Sequence, residues 1–435
     1  MLNTTRFLLT EKEAGVAAED APSMARIRQK FPRPIEEDIE GAVRRELLPF
    51  LAKVKSGQRI GVTGSSRGIS NYLRVITECV AALKDAGAEP FVFPGMGSHG
   101  GATAQGQIEV LANTHGITEE SVGCPIHASM DVVQVGTTAS GFPVYQDRIA
   151  HEADGVLVVN RVKPHTGFTK EVESGLSKML VIGMGKQAGA SRIHQQALRI
   201  DLGDLIMDAA RIIVDSERPR LLGGIALVEN AFKETACIKG VPMEDFDTMV
   251  TVESALLKQA YGLLPRLPFD DIDALVVDEM GKNISGSGMD TNVIGKKPGM
   301  EKPHIASIFV RGLTEETHGN ATGIGNADFI LRTMFEEVDL NSTYMNAFTA
   351  KRPIAGKIPM LMESELQAVQ VMLNFRQDTD PASIRMVWIR NTSKLDEMWV
   401  SESMLDEVRA NSNLEIIREA AQLTFDAELA MVAPG

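Results

Sequence analysis

Cysteine, positive charge and long apolar runs are all scarce in this chain. Its three cysteines follow no spacing pattern, which indicates a reducing cytoplasm rather than a disulfide framework. Lysine and arginine number 44 against 58 aspartates and glutamates, and the resulting net charge of −14 argues against binding nucleic acid or an anionic membrane, since both need a basic face. An acidic substrate stays possible, because it needs only a local pair of cations. No stretch is long and apolar enough for a membrane-spanning helix, and the charged first residues do not have the apolar core of a secretory signal.

The length predicts more than one domain. A chain of 435 residues exceeds one ordinary core, and 44% hydrophobic with 23% charged residues is typical of a globular protein. The segment Leu264–Pro268 contains two prolines and has the character of a junction. We therefore predict an N-terminal domain of residues 1–265 and a C-terminal domain of residues 266–435.

Apolar runs alternate with amphipathic helical patterns along both halves. This alternation predicts an α/β fold, with two α/β domains whose mostly parallel sheets are covered by helices. The predicted strands are residues 59–64, 90–94, 132–138, 155–162, 223–228, 274–278, 305–310 and 384–389. The predicted helices are residues 70–86, 191–216 and 246–263.

The turn after the first predicted strand, Gly61 to Ser70, resembles the glycine-rich turn of short-chain dehydrogenases. The third glycine position is Ser70, however, and no tyrosine is followed by the lysine that those enzymes need, so we do not expect a nicotinamide cofactor. Ser65, Ser66 and Arg67 remain candidates for holding a phosphate or carboxylate, because a strand–turn–helix junction offers N–H donors and a fixed cation.

Two histidines follow predicted strands. His99 lies in Gly-Met-Gly-Ser-His-Gly-Gly and His165 in Val-Lys-Pro-His-Thr-Gly-Phe. In a parallel sheet both would lie at carboxyl ends of strands, where open α/β sheets bind ligands. Imidazole is the commonest metal ligand and titrates near neutral pH, so the pair is a candidate site, with capping or surface histidines as the alternative.

Lys178, His194 and Lys282 are further candidates. Lys178 is flanked by apolar residues and glycines, and an apolar pocket would lower its pKa and make it a nucleophile or covalent anchor. His194 lies near the start of the predicted helix 191–216 and could bind a metal. Lys282 follows a strand in a glycine-rich segment and could be a second cation for a substrate. A solvated lysine and a core histidine remain the alternatives.

Taken together, these residues resemble the lactate racemase family, whose enzymes use a nickel-pincer nucleotide. The resemblance is to an ordered series: Arg67 in a turn after the first strand, His99 in a Ser-His-Gly turn, then His165, Lys178 and His194 with family-like separations. It covers residues 60 to 200 and weakens beyond them. It implies two α/β domains with the active site in the cleft between them.

The resemblance also implies a role for each residue. Lys178 would carry pyridinium-3-thioamide-5-thiocarboxylic acid mononucleotide covalently through its thioamide. His194 would complete a square-planar nickel site with the sulfur–carbon–sulfur pincer, a geometry that Ni(II) favours. His99 and His165 would be alternating acid and base on opposite sides of the substrate. Arg67 would pair with the substrate carboxylate.

The implied activity is that of an isomerase, a racemase or epimerase of a 2-hydroxy acid. The hydroxyl-bearing Cα would be inverted by reversible hydride transfer to the cofactor, with two bases because the enantiomers present their hydroxyls from different directions. Ser65 and Ser66 would contact the nucleotide and Lys282 the substrate. The family tends to carry an aspartate before the arginine turn, where this chain has Gly64-Ser65-Ser66, and the stretch between His165 and Lys178 is longer than the family's. These departures together suggest a substrate other than lactate. The implied partners are this hydroxy acid and the proteins that make the cofactor.

Two other functions remain open from the residues alone. His99, His165 and His194 could bind zinc or iron directly in a hydrolase or lyase. The chain could also be a two-lobed protein that binds a small ligand without turnover. Lys178→Ala separates the first of these from the racemase, because a three-histidine site would keep its metal without that lysine.

Overall fold

The computed structural model describes residues 16–376 and 380–434, and the chain divides into two compact units. One, here called the N-terminal unit, is residues 32–264. The other, the C-terminal unit, combines residues 16–31 with the described residues from 265 to 434. Among the described residues no helix is long and apolar enough to cross a membrane.

The strands in chain order are β1 (Ser23–Gln29), β2 (Arg59–Gly64), β3 (Glu89–Pro94), β4 (Val132–Thr137), β5 (Pro143–Asp147), β6 (Gly155–Arg161), β7 (Leu221–Glu229), β8 (Thr235–Val241), β9 (Asp271–Met280), β10 (His304–Leu313), β11 (Phe329–Leu331), β12 (Met360–Met362), β13 (Met386–Ile389), β14 (Glu397–Ser401), β15 (Leu414–Gln422), β16 (Thr424–Phe425) and β17 (Met431–Val432). The longer helices are α1 (Ile39–Leu51), α2 (Tyr72–Asp85), α3 (Ala104–His115), α4 (Lys186–Gln196), α5 (Leu202–Asp215), α6 (Phe246–Leu263), α7 (Leu340–Thr349) and α8 (Glu365–Asn374).

The N-terminal unit is built on a five-stranded sheet of order β3-β2-β6-β7-β8, parallel except for β8 at one edge. Side chains of β6 alternate between two cores, as strand geometry requires. Leu157 and Val159 pack with α1 and α2 on one face, whereas Val156 and Val158 pack with α5 and α6 on the other. The sheet is thus covered on both faces, and the predicted α/β class is confirmed.

The C-terminal unit contains an eight-stranded sheet of order β12-β11-β10-β9-β13-β14-β1-β15. The strands from β12 to β13 are parallel, and β14, β1 and β15 add to that sheet in antiparallel fashion. β1 corrects the predicted domain of residues 1–265, because Ala25 and Ile27 are buried in the core of the C-terminal unit. The sequence of β1 alone does not indicate which sheet this strand will join.

Two further expectations differ from the structure. β4 lies outside the main sheet and pairs with β5 in an antiparallel hairpin. The helix expected over residues 191–216 is two helices, α4 and α5, separated by residues 197–201. The break has a local cause, since the Asp201 carboxylate caps α5 by accepting N–H hydrogen bonds from Gly203 at 2.8 Å and Asp204 at 3.4 Å.

Candidate functional site

The residues proposed from the sequence of the N-terminal unit follow neighbouring parallel strands. β2 runs into Ser65, Ser66 and Arg67, β3 into the glycine loop that holds His99, and β6 into the segment that holds His165. Since β3, β2 and β6 are adjacent and parallel, their carboxyl ends meet at one edge of the sheet. That edge is where open α/β sheets place ligands.

The glycine loop packs its backbone against the turn that follows Lys178. The N–H of Gly97 donates to the carbonyl of Gly183 at 2.9 Å. A Cβ on Gly183 would lie 2.5 Å from the carbonyl oxygen of Gly95, and a Cβ on Gly95 would lie 2.7 Å from the sulfur of Met179. These glycines therefore allow two backbone segments to approach closely, and they present His99 at an exposed position between them and α3.

His165 is held by its own segment. Its backbone N–H donates to Glu173 Oε2 at 2.6 Å, and Glu173 Oε1 accepts from the Tyr261 hydroxyl at 2.9 Å. The ring stacks on Phe168 with centroids 4.3 Å apart, and Nδ1 accepts the N–H of Gly167 at 2.9 Å. An Nδ1 that accepts an amide hydrogen leaves the proton of a neutral imidazole on Nε2.

Lys178 ends a short helix, Leu176–Lys178, and continues into a π-helical turn, a form common at functional sites. The side chain is half-buried, with Nζ 3.4 Å from the hydroxyl of Ser174. Desolvation, then the positive charges of Arg67 and Lys163, lower its pKa to about 7. About half of the Lys178 amines are therefore neutral and nucleophilic at pH 7.

Glu253, which the sequence reasoning missed, anchors the turn that precedes Lys178. It is fully buried in α6, and its Oε2 accepts the N–H of Ser177 at 3.0 Å and the hydroxyl of Ser177 at 2.6 Å. Gly175 allows this approach, since a Cβ there would lie 2.0 Å from Glu253 Oε1. Desolvation raises the pKa of Glu253 despite these hydrogen bonds. The Asn160 side chain donates to the Gly175 carbonyl at 2.9 Å and fixes the other side of the turn.

His194 lies in the last turn of α4, because the helix begins earlier and ends earlier than predicted. The imidazole is half-buried, and desolvation followed by the charge of Lys178 lowers its pKa. His194 is therefore a neutral nitrogen donor close to Lys178. No group of three or more histidine, cysteine, aspartate or glutamate side chains in the described part of the chain could hold a metal ion, so His99, His165 and His194 do not form a three-histidine site.

Ser65 is engaged by its neighbours. It is buried, its N–H donates to the Tyr72 hydroxyl at 3.0 Å, and its carbonyl lies 3.0 Å from Nε2 of His115. The main-chain donor expected to face a phosphate at Ser65 is thus already used. Solvent reaches Ser66 and Arg67, which leaves these two as the ligand-facing part of the turn.

Arg67 is near a second cation. Desolvation and the charge of Arg161, the last residue of β6, lower the pKa of Arg67. Arg161 itself forms an ion pair with Glu229 at the end of β7. Together with Lys163, these residues make the strand ends cationic within a strongly acidic protein. Lys282 belongs to the C-terminal unit, directly after β9, where its ammonium donates to Asn346 Oδ1 at 3.0 Å.

Comparison with known proteins adds one family match and several similar solved structures, including the following two. The model of a domain of unknown function, DUF362, matches residues 63–250. A structural-genomics crystal structure of a Thermotoga maritima protein has 14% identity and a TM-score of 0.50, and the match covers 84% of this chain and 98% of that one. The lactate racemase apoprotein from Thermoanaerobacterium thermosaccharolyticum has 12% identity and a TM-score of 0.43, with 89% and 86% covered.

No curated protein matches the chain in sequence. The match to DUF362 spans the segment that contains His99, His165, Lys178 and His194. The chain has the fold of the Thermotoga maritima protein.

Proposed function

We propose that this protein is an isomerase that inverts the hydroxyl-bearing Cα of a 2-hydroxy acid with the aid of a nickel-pincer nucleotide. The observation that carries the proposal is the pairing of Lys178, with a pKa of about 7, and His194, whose pKa is lowered by desolvation and by Lys178. A neutral amine and a neutral imidazole are what a covalent anchor and a metal ligand require. The ordered series Arg67, His99, His165, Lys178, His194 supports the same assignment.

The side chains present fit such a group. Lys178 would hold it through an amide-type bond, and His194 would give nickel its protein ligand, with Ser66 and Arg67 in reach of solvent for phosphate or carboxylate oxygens. When bound, the group supplies a reversible acceptor for the Cα hydride. The three-histidine zinc or iron enzyme, in contrast, lacks the required grouping among the described residues.

His99 and His165 would handle the proton of the substrate hydroxyl. With Gly167 donating to Nδ1, neutral His165 presents Nε2–H and first acts as a hydrogen-bond donor to a substrate oxygen. It takes a second proton only after Nδ1 gives up the Gly167 hydrogen bond. His99, exposed on its loop, would be the acid–base group on the opposite side of the substrate.

The cations at the strand ends would bind the carboxylate of the substrate. Arg67 offers a planar donor pair for bidentate binding, and a charge-assisted pair of this kind holds a carboxylate in a fixed orientation. Arg161, whose guanidinium is held by Glu229, adds a second positive charge that acts on Arg67. In the C-terminal unit, Lys282 is the candidate for a second contact with the substrate.

The test is the mass of the Lys178 peptide together with the nickel content of protein purified from its native cell. We expect extra mass on that peptide and about one nickel per chain, as one anchor and one ligand imply. Lys178→Met made in the same cell should carry neither, while Lys170→Met, a lysine paired with Asp204, should carry both. An unmodified Lys178 peptide in the native protein would refute the proposal.

Protein that passes this test should racemise its hydroxy acid from either enantiomer. Because the hydrogen on Cα leaves and returns as hydride, it should be retained when the reaction is run in deuterated water. Exchange of that hydrogen with solvent would indicate proton abstraction at Cα and contradict the proposed chemistry.

A further inference from the structure

Lys186, Asp147 and Gln107 form a polar cluster inside the N-terminal unit, and none of the three side chains is exposed to solvent. Burying a lysine and an aspartate costs desolvation energy, which lowers the pKa of Lys186 and raises that of Asp147. A buried ion pair adds little net stability, because the desolvation cost offsets the attraction between the charges. The contacts of this pair indicate instead that it holds particular segments in place.

The Lys186 ammonium has two hydrogen-bond acceptors and one ion-pair partner, one from each of three segments. Nζ lies 2.7 Å from the carbonyl oxygen of Pro94, 3.0 Å from Gln107 Oε1 and 2.9 Å from Asp147 Oδ2. Pro94 ends β3, Gln107 lies in α3, and Asp147 ends β5. Lys186 has a φ of +53°, a left-handed conformation that a side chain other than glycine keeps only where its surroundings impose it.

Gln107 extends the cluster to the loop that bears His99. Its Nε2 donates to the carbonyl of Gly97 at 2.9 Å and to the carbonyl of His99 at 3.4 Å. Lys186 is the first residue of α4, whose last turn contains His194. One buried network therefore connects the loop of His99 to the helix of His194.

We propose that Lys186, with Gln107 and Asp147, is a positioning residue that fixes the distance between His99 and His194. The proposal rests on the roles given above to these two histidines. The network touches neither ring. It acts through Gln107, which bonds both the His99 carbonyl and the ammonium at the start of α4, so that the acid–base group and the metal ligand keep one relative arrangement.

The distance can be measured with spin labels on the cofactor-free protein. Ser98 and Gln195 are exposed neighbours of the two histidines, and Ser98→Cys with Gln195→Cys provides the attachment sites. Cys237→Ser removes the half-buried native thiol, and Cys79 and Cys124 are buried. Double electron–electron resonance then gives the distribution of distances between loop and helix.

We expect one narrow distribution for the parent and a width that increases about twofold when the network is cut, since local order is lost without global unfolding. The cutting variants are Gln107→Met, which keeps the length of the side chain, and Lys186→Met with Asp147→Asn, which leaves no orphan charge. Leu47→Ala, a cavity under α1, controls for lower stability alone and should leave the width unchanged.

An unchanged width in the folded Gln107→Met variant would overturn the proposal, and so would equal broadening in Leu47→Ala. If the double variant does not fold, Gln107→Met decides by itself. Because no nickel is present in the experiment, an unmodified Lys178 in native protein would refute the proposed function and leave this result standing. In loaded enzyme, Gln107→Met should lower kcat about tenfold with little change in KM, because it misplaces a reacting group without removing a substrate contact.

Discussion

The pKa of Lys178 gives the sharpest test of the candidate site. At pH 7 a lysine with its ordinary pKa of 10.5 is neutral in about one molecule in 3,000, whereas a pKa of about 7 makes about half of the amines neutral. The neutral fraction is thus about 1,500-fold larger. Desolvation is the largest cause of this difference, and the charges of Arg67 and Lys163 add to it.

Trace acetylation of the cofactor-free protein measures this directly. The rate of labelling of each lysine follows its neutral fraction, so peptide mass spectrometry over a series of pH values gives a midpoint for each side chain. We expect a midpoint near pH 7 for Lys178. Lys170 is the internal control, because its hydrogen bond to Asp204 raises its pKa, so its midpoint should lie above 10.5.

Two results would refute this reasoning. One is a Lys178 midpoint near 10.5, which would mean that water solvates the amine. The other is an unchanged or lower midpoint in Arg67→Met, since removal of a positive neighbour must favour the charged lysine. We expect Arg67→Met to move the midpoint upward but not to 10.5, because desolvation is the larger cause.

The lowered pKa of Lys178 also determines whether the free energy of unfolding rises or falls with pH. The folded protein binds the Lys178 proton less tightly than the unfolded chain, so between pH 7 and pH 10.5 the unfolded state holds more protons. The contribution of Lys178 to the free energy of unfolding therefore rises with pH across this window. Lys178→Met should remove that part of the slope, which urea unfolding at several pH values would show.

The neighbouring contacts predict the effects of three further substitutions, two of them with a matched control variant, and each effect is measured by urea unfolding. Glu253→Ala leaves the donors of Ser177 without their buried acceptor and should lower the free energy of unfolding by about 3 kcal/mol. Glu253→Gln keeps an acceptor oxygen and should restore most of this stability. Tyr261→Phe removes one hydrogen bond to a carboxylate and should cost about 1 kcal/mol. Gly183→Ala places a Cβ against the backbone of Gly95 and should lower the free energy of unfolding by about 2 kcal/mol. At Gly68 an added Cβ has no atom within 4 Å, so Gly68→Ala should lower it by less than about 0.5 kcal/mol.

Much of the N-terminal fold could be predicted because its signals are local. The strands that became β2, β3, β6 and β7 are continuous apolar runs, as expected where a parallel sheet is covered on both faces. Arg67, His99 and His165 follow the carboxyl ends of three of these strands, and a parallel sheet brings those ends to one edge. The break between α4 and α5 was not predicted, because in the sequence Asp201 is indistinguishable from an exposed polar residue within a helix. Its role as the N-cap of α5 depends on the hydrogen bond that its carboxylate accepts from Gly203.

The residues that hold the site were harder to find, since their role depends on contacts distant in sequence. Glu253 did leave a sign: it occupies the apolar stripe of α6, three and four residues from Val250, Met249 and Leu257, where a carboxylate must have a buried partner. Lys186 stands among glycines and apolar residues and could have been noticed in the same way. Its partners on β3, α3 and β5 could not have been read from the sequence.

The hydrogen bond from Gly167 to His165 predicts which nitrogen of that ring carries the proton. Long-range proton–nitrogen NMR of histidine-labelled protein should show Nδ1 without hydrogen and Nε2 with it. Gly167→Pro removes the donor and should let the Nδ1–H tautomer appear. A protonated Nδ1 in the parent protein would contradict the arrangement. Because protonation at Nδ1 breaks this bond, either the imidazole or the Gly167 amide would have to move in a reaction that uses His165 as a base.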